Sequence, residues 1–421
     1  MDTIAQSNQR NFFNRYYHDT MDRWLKFIIA PGKTVLNLSL ARTLNSQARF
    51  DYVVMDHLIG HMNDVQQGFE ALHKVTDEHS RIVITYHNYL WEGALKLAEF
   101  LHLKKTQPTQ NWLARQDIIN ILSLAHFEVV KQGSLILIPI YIPLISNFAN
   151  RYLARLPLLK QLCLIEYLVA RERPRSYSDK EYSVSVIIPA RNEAGNIEAA
   201  VTRLPNLGTK TEIIFVEGGS KDETKAAIAR VMEKYKDSKT IISLDQGTGV
   251  GKGDAVRRGF AAATGDIVMI LDADLTVPPE DLPKFYQAIR NRTGEFVMGT
   301  RLVYPMEQGA MRFLNILGNK FFSAAFSWLL DQPLKDTLCG TKVMFRADYE
   351  ELARNRNYFG DFDPFGDFDL IFGAAKLNLK ILEIPIRYQA RTYGTTNISR
   401  FRHGWLLLKM TIFAARKMKF I

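Results

Sequence analysis

Two aspartates spaced two residues apart, Asp272 and Asp274, close a short apolar run in the segment DIVMILDADLTVPP, from Asp266 to Pro279. Side chains two apart on an extended chain point the same way, so the pair can share one hard cation. Mg2+ or Mn2+ takes such oxygen donors. Alone, a D-x-D is more often a polar strand end, and its surroundings decide. Three upstream apolar runs also end in polar residues. VSVIIPARNEAGNIEAAV closes a strand with Pro189, Ala190, Arg191, Asn192 and Glu193, a place for a nucleotide base and ribose. IIFVEGGSKDET closes another with Glu217, Gly219 and Ser220, and Asp222 is the expected N-cap of the following helix. GTGVGKGDAVRRGF sets Lys252 and Gly253 among glycines, offering amides and a cation to a diphosphate.

The elements that must position these residues alternate. Apolar runs at 184–189, 212–217, 240–244 and 266–274 are separated by helical patterns opening at Asn196, after Asp222 and around Val256. Such alternation marks a parallel α/β sheet, and ligands of such sheets sit at the carboxyl ends of the strands. The stretch RERPRSYSDK, from Arg171 to Lys180, breaks an apolar segment with charge, Pro and Ser. It predicts a boundary near residue 175, with one domain before it, a second over 176–400 and a basic amphipathic helix over 401–421.

In this order the segments resemble the family 2 glycosyltransferases, above all the polyprenyl-phosphate (dolichol-phosphate mannose type) branch. There P-x-x-N-E, an acidic turn with Ser-x-Asp, a G-x-G segment and D-x-D follow one another. The resemblance runs from about Tyr182 to Arg400 and continues through Gly299, Thr300, Arg301, Arg312, Asn319 and DTLCGTKVMFR (336–346). It implies a GT-A nucleotide-diphospho-sugar transferase fold, a Rossmann-like mixed α/β sheet. Pro189, Ala190, Asn192, Glu193, Glu217, Gly219, Ser220, Lys252, Gly253, Asp272, Ala273, Asp274 and Arg301 would surround a GDP- or UDP-linked sugar. Asp272 and Asp274 would hold the Mg2+ or Mn2+.

The resemblance also implies an arm after the I-P-I-x-Y strand, with Arg391, Tyr393 and Gly394, that holds acceptor or phosphates. Two departures stand out. Gly218 replaces the second acid of the common D-D-x-S motif, leaving nucleotide contacts there to Glu217. The usual Arg-x-x-Gly-x-Ser-Lys of the lipid-phosphate branch is here Arg391, Gly394, Thr396 and Asn397, with Arg400 and Arg402 close by.

The implied reaction is a single displacement with inversion at C1, the metal and basic residues stabilising the departing nucleoside diphosphate. A polyprenyl phosphate acceptor arrives ionised and needs no base. A glycan hydroxyl needs one, for which Asp367 comes first by motif order and Asp369 second. A catalytically inactive two-domain scaffold is the alternative of another class, and the survival of the D-x-D, the Lys252 loop and Arg391 in one chain counts against it.

In the first half, residues 50–88 read as strand, loop, amphipathic helix at Val65 to Val75, turn and strand, after a first strand in KTVLNLSLA (33–41). The pattern resembles class I S-adenosylmethionine methyltransferases. No glycine loop follows the first strand, however, and too few residues separate Ala41 from Asp51 for the missing β-α units. Residues 1–175 are therefore expected to be a degenerate Rossmann-like methyltransferase-type domain that stabilises or docks, with no S-adenosylmethionine bound. His57 and His61 at i, i+4 invite a zinc reading but lack a third ligand in pattern, which favours structural histidines.

At 421 residues the chain is long enough for two cores, and 47% hydrophobic with 23% charged residues excludes a disordered chain. No run reaches the length of a membrane helix; Leu135 to Ile145, with two prolines, reads as strand and turn. No signal peptide is evident at the start, and Cys163 and Cys339 form no disulfide framework, so a reducing cytosol is expected. Lysine and arginine exceed aspartate and glutamate by 54 to 44. No nucleic-acid motif absorbs the excess. Arg400, Arg402, Lys409, Arg416, Lys417 and Lys419 alternate with Trp405, Leu406, Leu407, Leu408, Ile412 and Phe413 in an acid-free tail. That pattern suits either a helix lying on an anionic membrane at its cytosolic face or a helix docked on the protein.

Overall fold

The computed structural model describes residues 12–38, 48–102, 111–174, 179–249, 251–304, 313–356, 368–394 and 400–420. Two compact units divide the chain, one of residues 1–175 with 416–421 and one of residues 176–415.

The first unit is built on a five-stranded sheet. Its strands are β1 (Val35–Asn37), β2 (Tyr52–Asp56), β3 (Arg81–His87), β4 (Phe127–Ser134) and β5 (Ile165–Glu172), in the order β1-β2-β3-β5-β4. β1, β2 and β3 are parallel, while β5 runs antiparallel to both β3 and β4. Strands buried on both faces read as continuous apolar runs, as YVVMD and RIVITYH do. Val53, Met55, Ile82 and Ile84 pack with Phe69, Leu72, Ile118, Leu122 and Leu168 in one core. The helix Val65–Ala71 starts at Asp64, whose carboxylate accepts the Gln67 amide at 2.9 Å, and runs into a 3-10 turn at Leu72–Lys74.

The segment from Leu135 is neither strand nor simple turn. β4 ends at Ser134, and a helix opens at Ile145 (Ile145–Arg151). Leu135 and Ile136 still pair with Ile165 and Leu164 (2.9 and 2.6 Å), and beyond them the backbone bonds to side chains. Asn150 Oδ1 accepts the amides of Leu137 (2.8 Å) and Ile138 (2.9 Å), and Ser146 Oγ accepts that of Ile142 (2.9 Å). Pro139 and Pro143 bring no amide for a ladder. His57, in the left-handed region at φ 53°, stacks on His87 at 4.5 Å and bonds to the Tyr17 hydroxyl. Burial, with His18 and His61 near, pushes its imidazole down to about 4. Among the described residues, no group of three or more His, Cys, Asp or Glu is placed to hold a metal ion.

The second unit carries the mixed α/β sheet of GT-A type that the motif order implies. Its strands are β6 (Val184–Ala190), β7 (Thr211–Glu217), β8 (Thr240–Asp245), β9 (Ile267–Ile270), β10 (Phe296–Thr300), β11 (Lys342–Phe345) and β12 (Ile381–Pro385), in the order β12-β10-β11-β9-β6-β7-β8. β9, β6, β7 and β8 are parallel neighbours, as are β10 and β12. β11 is antiparallel to both β9 and β10. Six carboxyl ends and the amino end of β11 therefore open on one edge. Beneath it Val186, Ile188, Phe215, Met269, Leu271, Phe285 and Val297 form the core. Gly259, in the helix Lys252–Ala262, lies so close to the sheet that a Cβ there would come within 2.4 Å of Ile187.

The last helix spans Arg400–Met418. Leu407, Met410, Ala414, Ala415 and Met418 are buried, leaving Trp405 and Ile412 exposed, so protein covers much of its apolar side. Among the described residues no helix is long and apolar enough to cross a membrane.

Candidate active site

The carboxyl ends of β6 and β7 are tied by side chain to backbone bonds. Asn192, at φ 56°, donates its amide to Ser220 Oγ (3.0 Å), and its Oδ1 accepts the Lys221 amide (2.8 Å). Ala190 O accepts the Gly218 amide at 2.9 Å. The buried Glu217 turns back on its own loop, accepting the amides of Gly219 (3.2 Å) and Ser220 (2.6 Å). Its carboxylate shapes this turn. The helix Thr224–Lys234 has Glu223, not Asp222, at its N-cap position. Asp222 still does the capping chemistry, taking the Thr224 amide (3.0 Å) and hydroxyl together with the Ala194 amide (3.2 Å). Two loops thus share its carboxylate.

β9 ends at Ile270, so Asp272, Ala273 and Asp274 lie beyond the ladder, where the Leu275 amide returns to Asp272 O at 3.1 Å. The D-x-D is thus a turn rather than extended chain, and its carboxylates face different cations. Asp272 Oδ1 lies 2.6 Å from Lys252 Nζ. Asp274 Oδ2 accepts from Arg391 Nη2 at 2.7 Å, while its Oδ1 holds the Thr276 amide (3.1 Å) and hydroxyl (2.9 Å). Burial pushes the Asp272 carboxyl upward, but Lys252, Lys342 and Arg301 outweigh it and hold it below the usual carboxylate range. Lys252 opens its helix after Gly251, whose φ of 86° favours glycine, with Gly253 buried in the first turn. Gln246 Nε2 ties the loop by donating to Gly251 O (2.8 Å) and Asp254 Oδ2 (3.1 Å).

Two carboxylates in one turn suit a hard divalent cation that keeps water and phosphate oxygens for its other positions. Gly340 leaves room for the Asp272 carboxylate itself. A Cβ there would stand 1.9 Å from Asp272 Oδ2 and 2.6 Å from Lys252 Nζ.

After β12 the chain crosses the open edge. The Ile386 amide bonds to Thr300 O (3.0 Å) and that of Gln389 to Thr276 O (3.0 Å). Arg391 then joins two motifs far apart in sequence, donating to Glu193 Oε1 (3.1 Å) as well as to Asp274. Burial raises the Glu193 carboxyl, with Asp274 and Asp222 adding to the rise and Asn196 and Arg391 opposing it. Tyr393 packs its ring where a Cβ on Gly195 would come within 2.5 Å, and its hydroxyl donates to Asp222 Oδ2 (3.3 Å).

Arg301 is committed elsewhere, in a bidentate pair with Asp336 (2.6 and 2.8 Å) and over the Tyr388 ring at 5.2 Å. Asn319 Nδ2 donates to the same carboxylate (3.0 Å). In sequence the motif DTLCGTKVMFR only continues the motif order. Three of its residues build the site: Asp336 fixes Arg301, Gly340 leaves room at Asp272, and buried Lys342 adds positive potential there while donating to Cys339 O (2.7 Å).

Asp369 is buried in the helix Phe368–Lys376 and paired with Arg356 (3.3 Å) and Arg257 (4.0 Å). It belongs to that ion-pair group. Asp367, Arg312, Thr396 and Asn397 lie outside the described residues, as do the side chains of Arg400 and Arg402.

Residues 185–353 match the family described as glycosyl transferase family 2, so a domain of that family lies in the second half of the chain. The chain is 37% identical over 122 residues to a dolichol-phosphate mannosyltransferase of Pyrococcus furiosus, covering 28% of this chain and 33% of that protein. It is 26% identical over 227 residues to glycosyltransferase AglJ of Haloferax volcanii, covering 53% of this chain and 69% of that protein. It therefore spans only about a third of the first relative's length. A crystal structure of glucosyl-3-phosphoglycerate synthase from Mycobacterium tuberculosis, in complex with Mn2+, uridine diphosphate and glucosyl-3-phosphoglycerate, aligns with a TM-score of 0.41 at 19% identity, covering 56% of this chain and 80% of that one.

Proposed function

We propose that the second unit transfers a sugar, with inversion, from a nucleoside-diphosphate sugar to a polyprenyl phosphate or a related lipid-linked acceptor. The observation that carries this reading is the Arg391 bridge. One guanidinium holds the Asp274 carboxylate and Glu193 together, beside the Lys252–Asp272 pair. Carboxylates and cations thus alternate along the carboxyl edge of the sheet, the arrangement a metal-bound diphosphate requires. Asp272 and Asp274 would hold Mg2+ or Mn2+, which when bound neutralises charge on the leaving diphosphate. Lys252 and the first turn of its helix would take phosphate oxygens. The loops of Asn192, Glu193, Glu217 and Ser220 would seat base and ribose, and Arg301, locked by Asp336, would contribute fixed positive potential.

A phosphate acceptor suits the site because Asp369 is engaged by two arginines, whereas Arg391 stands at Asp274, the carboxylate that would hold the metal. A glycan hydroxyl acceptor would instead need Asp367 as base. For the first unit we propose a degenerate methyltransferase-like module that binds no S-adenosylmethionine. In support, β2 pairs directly with β1, Val35 opposite Tyr52, so among the described residues no strand stands between them to end in a ribose-binding acid. Calorimetry with S-adenosylmethionine tests it, and micromolar binding would overturn it.

A thermal-shift screen of nucleoside diphosphates with Mn2+ or Mg2+ tests the transferase reading, since a ligand of the folded state raises the melting temperature. One base should stabilise the protein in a metal-dependent way, and Asp272→Ala or Asp274→Ala should remove the metal-dependent part. A shift that ignores both substitutions would refute the site.

A further inference from the structure

The first unit exposes apolar side chains where a water-facing surface would bury them. Leu144 is 85% exposed and Leu158 82% exposed, with Ile145, Phe148 and Leu162 more than half exposed around them. A rigid frame holds them out. Ser146 and Asn150, both buried, take the loop amides described above, and Asn150 Nδ2 returns to Ile138 O (2.7 Å) and Tyr16 Oη (3.1 Å). Leu144 sits at φ 63°, a backbone region that a bulky side chain enters only when its surroundings impose it.

Charge says what covers this surface. From Val129 to Ile165 the chain contains no aspartate or glutamate, while Arg151 and Lys160 stand among the exposed leucines. The end of the chain adds to the same side of the charge balance. Arg151 Nε donates to Phe420 O (3.0 Å), and the Phe420 ring lies 5.2 Å from Tyr152, which brings the exposed Arg416 and Lys417 near. Separate leucines standing far out of the surface, on a segment that carries cations and no carboxylate, fit the boundary between headgroups and acyl chains of an anionic membrane. A protein partner would require a continuous complementary face of about 800 Å².

We propose that residues 137–162 of the first unit form a membrane-docking surface, with Leu144 and Leu158 inserted into anionic lipid and Arg151 and Lys160 at the headgroups. The proposal stands whether or not the transferase reading does. The test is sedimentation of the full chain with vesicles of phosphatidylcholine containing about a third phosphatidylserine, against phosphatidylcholine alone. The wild type should bind the anionic vesicles. Leu144→Ser with Leu158→Ser should weaken binding by about tenfold for each leucine, with the melting temperature unchanged because both side chains are exposed. Arg151→Gln with Lys160→Gln should reduce the dependence of binding on phosphatidylserine and on salt. Wild-type protein that ignores the vesicles, or leucine and cation variants that bind like wild type, would overturn the proposal. So would a wild-type dimer in light scattering that the leucine substitutions convert to monomer, since the surface would then be a protein interface.

Discussion

Gly340→Ala adds one methyl group to a residue that supplies no side chain to the candidate site. Its Cβ would stand 1.9 Å from Asp272 Oδ2 and 2.6 Å from Lys252 Nζ, where non-bonded heavy atoms prefer about 3.5 Å. The carboxylate must therefore retreat by roughly 1.5 Å. Asp272 is a short side chain already held at 2.6 Å by Lys252, so the retreat breaks or reorients that pair. A misplacement of about 1 Å at a reacting centre costs about a hundredfold in rate, and transfer should fall by at least that factor. The fold should survive. Overpacking costs about 1–3 kcal/mol, and because Asp272 is 26% exposed at an open edge, the lower end applies.

The assay pairs a calorimetric titration of Mn2+ with a nucleoside diphosphate and a steady-state transfer measurement. Gly318→Ala is the control. A Cβ there meets nothing within 4 Å, so the helix gains up to about 1 kcal/mol of propensity and the site is untouched. Metal-nucleotide affinity and turnover both within twofold of wild type in Gly340→Ala would refute the placement of the metal on Asp272.

Three further outcomes are expected. If the acceptor is a lipid phosphate, Arg391→Ala should lower turnover severely and Asp367→Asn mildly; a crippled Asp367→Asn beside a nearly normal Arg391→Ala would assign a hydroxyl acceptor. Asp336→Asn should cost about 3–5 kcal/mol at neutral pH, because it leaves the Arg301 guanidinium buried without its carboxylate. Burial raises the Asp336 carboxyl, but Arg301 and Asn319 outweigh it and hold it below the usual range. Its stabilisation is therefore full above the unfolded value of about 3.9 and is lost as pH falls through the lower folded value. The gap between wild type and variant in chemical denaturation should then shrink only below about pH 4, and a gap that vanishes by pH 6 would contradict the pairing. Deleting residues 404–421 should lower the apparent melting temperature by more than about 5 °C, since it removes Leu407, Met410, Ala414 and Met418 from buried positions. An unchanged melting curve would return the tail to the role of a free interfacial helix.

The four parallel strands β6 to β9 and the position of the D-x-D past β9 were legible in the chain. Buried parallel strands read as largely apolar runs, as VSVIIP, EIIFV and DIVMIL do, and the half-exposed edge strand TIISL keeps the same pattern. Local pattern records which residues avoid water, but it does not record which segment lies opposite. Tertiary structure alone decided that β5 enters between β3 and β4, that β11 runs against its neighbours, and that the last six residues group with the first unit. It also moved the capping position off Asp222 and replaced the expected strand after Leu135 with a loop bonded to Ser146 and Asn150. The candidate site divides the same way. The residue types were readable because phosphate and divalent cations demand cations, amides and carboxylates. Their pairing was not readable, because Lys252 meets Asp272 and Arg391 meets Asp274 and Glu193 only after the segments following four strands converge on one edge, where burial and Coulomb attraction select the partners.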